Sequence, residues 1–369
     1  MRTWLSIFFG IFAVMALSNA IVPVLPAYAE GSALQGIIYS AYFLGAFAAT
    51  LPAGVLSDRY GRVPIMRIGL VITVISGLLL SVLTAPFPVI AVRLLEGAGA
   101  GFFAAASLAY VNSLPDHEKK SGYFMASLNA GLVIGLVFAG WLAAHMPYQA
   151  TGILVFAGLS IIPAAASFFV QETSAVTPKG DYRALVFLLK DYRWLWYSAV
   201  ILIGITGVVT SLYPKFSGYS PDSVGIWISL MSIATIASVL VASRLSLPPV
   251  LTIRWSAVLM VIAVMVSYVS PLGFVMIGTG AGIVMIAQMS FLAQVKGHQG
   301  VAMGLFSTAT YLGMTLLPVM TGVLADSAGF FFAFCPFMYH STTSSARTAG
   351  TNRSEKRRIR IRIVDLIIS

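Results

Sequence analysis

Apolar residues in this chain come in runs of about twenty, separated by short polar segments. The runs fall at 4–24, 33–56, 65–83, 87–111, 122–144, 152–170, 195–213, 223–241, 256–269, 272–293 and 301–325, with a shorter one at 328–339. Each is continuous rather than alternating, which excludes the strands of a transmembrane barrel. About twenty apolar residues wound as an α-helix cross the roughly 30 Å hydrocarbon layer of a bilayer. The pattern therefore predicts an all-α polytopic membrane protein, with eleven full spans and a twelfth helix that is short or incomplete.

Composition narrows the function classes. Hydrophobic residues make up 59% of the 369 and charged residues 9%, whereas a soluble chain carries about 25% charged residues. A water-soluble enzyme, a nucleic-acid reader and a disordered scaffold are excluded together. The net charge of +10 would suit a nucleic-acid partner in a soluble protein, but here its distribution reports topology. With the N-terminus in the cytoplasm, 20 of the 22 lysines and arginines fall in cytoplasmic segments. Only Lys215 lies in an outside loop, and Arg93 lies inside a span. Such a bias orients a multi-pass protein of the cell membrane.

The first run, with Arg2 before it and Ser18-Asn19-Ala20 within it, also fits a secretory signal and its cleavage site. Its apolar character continues through Leu25, so a retained first helix is expected. The single cysteine, Cys335, excludes a disulfide framework and a cysteine metal site. His117, His145, His298 and His340 all fall in loops or at span ends, so neither a metal nor a cofactor is expected. The absence of a P-loop pattern disfavours ATP-driven transport.

The longest internal polar segment divides the chain six spans from six. This predicts an N-terminal bundle at 1–170, a cytoplasmic linker at 171–194 with an amphipathic stretch at 182–189, a C-terminal bundle at 195–340 and a basic polar tail at 341–369. The halves resemble each other. Gly97, Gly99 and Gly101 in the fourth span match Gly278, Gly280 and Gly282 in the tenth, and Gly122, Met125 and Gly135 recur as Gly300, Met303 and Gly313. Duplication implies two pseudo-symmetric bundles around a central cavity.

The segment Gly54-Val55-Leu56-Ser57-Asp58-Arg59-Tyr60-Gly61-Arg62 resembles the hallmark loop of the major facilitator superfamily, G-x-x-x-D-R-x-G-R-[RK], between spans two and three. Val63 stands where the pattern has a second basic residue. Gly54 would let the helix end approach a neighbour closely, and Gly61 permits a turn with φ > 0. In the family this loop locks the cytoplasmic side, its aspartate facing the N-terminus of a neighbouring helix; Asp58, Arg59 and Arg62 inherit that gating role by resemblance.

Arg93-Leu94-Leu95-Glu96-Gly97-Ala98-Gly99 is similar to the family's R-x-x-x-G-x-G stretch, associated with proton or substrate coupling. Glu96 lies on the same helix face as Arg93. Two readings stay open, a proton carrier or an ion-pair partner of Arg93. The stretch from Gly131 through Gly135 to Gly140 resembles the antiporter motif G-x-x-x-G-P-x-x-G-G, but Leu136 replaces the proline and Ala139 a glycine. Close helix packing is its expected role. Asn19, Asn129 and Gln288 either line the cavity or join helices. Tyr39, Tyr42, Tyr213 and Tyr311 either contact a ligand or pack.

The resemblance implies a secondary transporter that moves a small molecule by alternating access, as a monomer in the lipid bilayer, with proton-coupled efflux the leading mode. The alternatives are a uniporter or symporter for a sugar or organic acid, and a non-transporting protein that is either a sensor or a truncated inactive product.

The twelfth run turns polar at His340 in mid-helix, and the basic segment from Arg347 onward has no counterpart in the family pattern. It reads as a polybasic tail for anionic lipid or as an out-of-frame C-terminus. Reading the DNA past codon 335 in the other frames should complete an apolar helix; finding none would support a polybasic tail.

Overall fold

The computed structural model describes residues 3–112, 114, 117–172, 182–245, 248–292 and 299–330. The expected twelfth run, apart from its first residues, and the tail at 341–369 lie outside the described residues. In hydrocarbon no water is available to hydrogen-bond a free backbone group, so each apolar run must satisfy its own amides and carbonyls as a helix. The helices are α1 Thr3–Ala20, α2 Leu25–Tyr28, α3 Ser32–Tyr60, α4 Arg62–Val82, α5 Pro86–Asn112, α6 His117–His145, α7 Thr151–Ser167, α8 Tyr182–Asp191, α9 Arg193–Ser217, α10 Pro221–Ala242, α11 Pro249–Val269, α12 Leu272–Leu292 and α13 Gln299–Ala328.

Ten segments among the described residues are long and apolar enough to cross a membrane, and α7, with 17 residues, is a shorter apolar helix. The first span is not one straight helix as its hydropathy suggests. Pro23 and Pro26, which lack an amide hydrogen, break it into α1, a 3₁₀ turn at Val22–Val24 and α2. The amphipathic stretch in the central connection is the short helix α8, whose Leu188 is fully buried and whose Leu188 carbonyl accepts the Trp196 indole N–H at 2.9 Å.

The packing repeats with the sequence. Counting α1, α3, α4, α5, α6 and α7 as spans one to six and α9 to α13 as seven to eleven, the fourth packs on the second and the tenth on the eighth. A Cβ on Gly97 would overlap the Tyr42 carbonyl oxygen of α3, and one on Gly278 would overlap the Met231 carbonyl oxygen of α10. Four residues on, Gly101 faces Ala46 and Gly282 faces Thr235. Likewise the fifth span meets the first where Gly135 faces Ala16, and the eleventh meets the seventh where Gly313 faces Val200. The halves touch each other along α3 with α13 and α6 with α10. A shift of six spans converts the first of these contacts into the second, as a two-fold repeat requires.

The remaining packing glycines also stand against backbone. Gly99 faces Gly69, Gly131 faces the Phe12 carbonyl, and Gly140 faces the Pro221 carbonyl across the two halves. Gly54 is different. Among the described residues no atom of a neighbouring helix lies within 4 Å of where its Cβ would be, so the close approach expected there is not seen among them.

This contrast is testable. Gly97→Ala should lower unfolding stability by about 1–3 kcal/mol, the usual cost of forcing atoms into a filled contact. Gly54→Ala should be neutral or slightly stabilising, because alanine favours the helix by about 0.5–1 kcal/mol. Thermal unfolding in detergent, followed by a tertiary-structure signal, checks both.

Candidate functional site

A cavity of about 400 Å³ lies between the halves. Its wall comes from α1, α3, α5 and α6 of the first half and from α9, α10, α12 and α13 of the second. These are spans one, two, four and five and their six-span counterparts. The lining is aromatic, thioether and hydroxyl-bearing: Tyr39, Tyr42 and Tyr311 stand among Met15, Met231 and Met285, with Thr206, Thr210 and Thr310 between them. Arg93 is the one charged residue among the lining residues.

Arg93 and Glu96 sit one turn apart on α5, both about 1% exposed, with Arg93 Nη1 2.6 Å from Glu96 Oε2. The same Nη1 donates to the Ser18 carbonyl of α1 at 3.3 Å. The guanidinium lies over the Tyr42 ring of α3, 4.7 Å from its centroid. Arg93 Nε and Glu96 Oε1 have no hydrogen-bond partner among the described residues. A charge in hydrocarbon is tolerated when it is paired or faces water, and here pairing, a carbonyl and an aromatic face act together. The side chain is turned inward, so it does not snorkel to the membrane surface.

Of the polar candidates, Asn19 and Asn129 line the cavity. Asn19 Nδ2 donates to the Leu132 carbonyl of α6 at 3.3 Å, and Asn129 Nδ2 donates to the Met125 carbonyl of its own helix at 2.8 Å. Gln288 is not at the cavity. It is fully buried between α12 and α9, donating to Ser198 Oγ at 2.9 Å, so its role is to join helices. Tyr39, Tyr42 and Tyr311 line the cavity, whereas the Tyr213 ring packs edge-on against Phe274 with centroids 4.5 Å apart. The cavity threonines were not singled out from sequence; the i,i+4 spacing of Thr206 and Thr210 in an otherwise apolar span was the available signal.

None of residues 58–62 is among the lining residues of the cavity. Gly61 has φ +98° and donates its amide to the Ser57 carbonyl at 3.1 Å, so α3 stops and α4 starts within one residue. Glu172, unmarked by any motif, accepts the Val63 amide at 2.8 Å and so caps α4. Arg67 donates to the carbonyls of Ser167, Phe168 and Val170 and closes the end of α7. The hallmark loop is thereby tied to the sixth span of its own half. Arg59 lies over the Tyr60 ring at 5.3 Å. Arg62 is buried, and its Nε and Nη1 have no partner among the described residues. The Asp58 side chain lies outside the description. Among the described residues, no three of His, Cys, Asp and Glu gather as a metal site.

A family model described as Major Facilitator Superfamily matches residues 7–318. The chain is 26% identical to the quinolone resistance protein NorA of Staphylococcus aureus (strain MRSA252), over 87% of this chain and 89% of the relative. It is 25% identical to multidrug resistance protein 2 of Bacillus subtilis (strain 168), over 86% and 87%. Among solved structures, the nucleoside transporter NupG superposes with a TM-score of 0.74 at 15% identity, covering 95% of this chain and 99% of that one. The fold is that of this solved transporter. With the match spanning most of its length, this multi-pass membrane protein belongs to the Major Facilitator Superfamily of transporters.

Proposed function

We propose that the protein exports a small apolar or amphipathic compound across the cell membrane in exchange for protons, with its N-terminus in the cytoplasm. The observation that carries this reading is the buried Arg93–Glu96 pair, whose Arg93 lines the cavity. When Glu96 is ionised, it balances Arg93 and the wall is electrically neutral. When Glu96 is protonated, Arg93 is left as an unbalanced cation beside the cavity. An apolar or cationic substrate is then disfavoured by the charge in low dielectric. Proton and substrate are therefore held alternately, which is the logic of an antiporter. The relatives named for quinolone and multidrug resistance support efflux as the direction.

The two halves act as bodies that rock about the cavity, the first at 1–170 and the second from 195, with the connection at 171–194 between them. The hallmark loop works as the cytoplasmic gate. Asp58 faces a helix N-terminus of the other half when that side closes, Gly61 supplies the turn, and Arg59 and Arg62 hold the loop at the membrane surface. The transporter works as a monomer, because one chain contains the whole cavity.

In proteoliposomes an imposed pH gradient should drive substrate movement. Glu96→Gln keeps the hydrogen-bonding capacity but cannot carry a proton. It should abolish the gradient-driven component and also weaken substrate binding, because Arg93 is then permanently unbalanced beside the cavity. Equilibration independent of pH in the parent protein would make it a uniporter, and gradient-driven transport unchanged by Glu96→Gln would place the proton elsewhere.

Asp58→Asn should favour the cytoplasm-open form. A contact weakened by about 1.4 kcal/mol changes the conformer ratio tenfold. With Cys335 replaced by serine and a cysteine at cavity residue Thr310, labelling by an impermeant thiol reagent should rise from the cytoplasmic side. Unchanged labelling from both sides would contradict the gating role.

A further inference from the structure

Helix α3 begins without a cap of its own. Its N-cap is Gly31, which has no side chain to accept the first amides of the helix. The missing acceptor comes from the other half of the protein. Asp326, at the far end of α13, accepts the Ser32 amide on Oδ1 at 2.8 Å and the Ala33 amide on Oδ2 at 2.7 Å. These residues are 294 and 293 positions apart in sequence. The bonds join a carboxylate to the positive end of a helix, which makes each stronger than a neutral hydrogen bond. Lys215, in the last turn of α9, lies 3.4 Å from Asp326 Oδ1 and steadies the carboxylate from its own half.

The geometry around the contact suits a separable latch. Residues 314, 318, 322 and 326 recur every fourth position along α13, on one face of the helix. Ser40 Oγ donates to the Met314 carbonyl at 3.5 Å, Gly36 lies against the Pro318 carbonyl, and Gly322 lies against the Ser32 carbonyl. A Cβ on Gly31 would sit 3.2 Å from Asp326 Oδ2, so a glycine makes room for the carboxylate. Among the described glycines, the contacts across the halves all fall toward this end of the bundle: Gly31, Gly36 and Gly322 on the α3–α13 seam, and Gly140 and Gly225 on the α6–α10 seam. The Asp326 side chain remains 35% exposed. Water can therefore take over its bonds when the ends part, and the latch can open.

We propose that Asp326, capping the N-terminus of α3 across the two halves, is a gating residue that holds this end of the transporter closed. It stands at the opposite end of α3 from Asp58, so one helix carries a latch position at each end. The reading rests on alternating access between two halves but not on proton coupling or on the direction of transport.

The test uses the full chain in lipid nanodiscs, with Cys335 replaced by serine and spin labels on exposed residues of opposite halves. Met146 and Tyr219 report the Asp326 end, and Tyr60 and Leu245 report the other. Asp326→Asn should raise the population separated at the Asp326 end about tenfold, with a reciprocal approach of Tyr60 and Leu245. Ser32→Pro removes one latch amide at a helix position that favours proline, while Gly31 at φ −86° and ψ 142° already has the backbone required before it. It should move both distances in the same directions, and it carries the test alone if Asp326→Asn does not fold. Distances unchanged at both ends would overturn the proposal. So would loosening confined to the Asp326 end, which would mark a purely local helix cap. Loss of pH-driven transport with the distances shifting as expected would bear on proton coupling alone.

Discussion

Two charges sealed inside a membrane protein set the terms for the helices around them. Arg93 and Glu96 have no bulk water to stabilise them, and removing one partner from such a buried pair costs about 3–5 kcal/mol. Their surroundings must therefore be supplied by neighbouring helices at fixed positions. Gly97, the next residue after Glu96, lets α3 pack backbone to backbone against α5. That approach places the Tyr42 ring over the guanidinium. From the other side, α1 contributes the Ser18 carbonyl. In the first half the pair and the glycine seam are built side by side, with Arg93 on the cavity wall.

The same glycine seam occurs twice. Gly278 and Gly282 repeat in the second half what Gly97 and Gly101 do in the first, yet among the described residues no ion pair accompanies them. The second half meets the cavity with Thr206, Thr210, Thr310 and methionines instead. Duplication thus preserved the backbone geometry, because backbone contact tolerates only glycine. Side chains facing the cavity were free to diverge. Among the lining residues the one charge, Arg93, stands on the wall of the first half.

Much of the fold was legible in the sequence, since a bilayer admits so few backbone solutions. The apolar runs marked eleven apolar helices among the described residues, ten of them long enough to cross a membrane, and Gly61 announced a turn with positive φ, which is +98°. The break at Pro23 was harder to see, because hydropathy is blind to hydrogen bonding. The site was less legible. Which way Asn19, Asn129 and Gln288 point depends on the rotation of each helix against its neighbours, and Gln288 turned toward Ser198 instead of the cavity. Gly54 belonged to a recognisable pattern but has no close neighbour among the described residues, because a motif does not specify the packing around it. Glu172 and Asp326 carried no local signal at all. Each caps a helix more than a hundred residues away in the chain, a relation only tertiary structure can create.

The central claim is that Glu96 alternates between an ionised partner of Arg93 and a protonated, neutral side chain. Infrared difference spectroscopy of the protein in lipid, with pH stepped across the working range, reads the carboxyl stretch directly. The account predicts a protonated-carboxyl band that appears on acidification, is absent in Glu96→Gln, and diminishes when saturating substrate is added. A Glu96 carboxyl that keeps one protonation state throughout, with or without substrate, would contradict it.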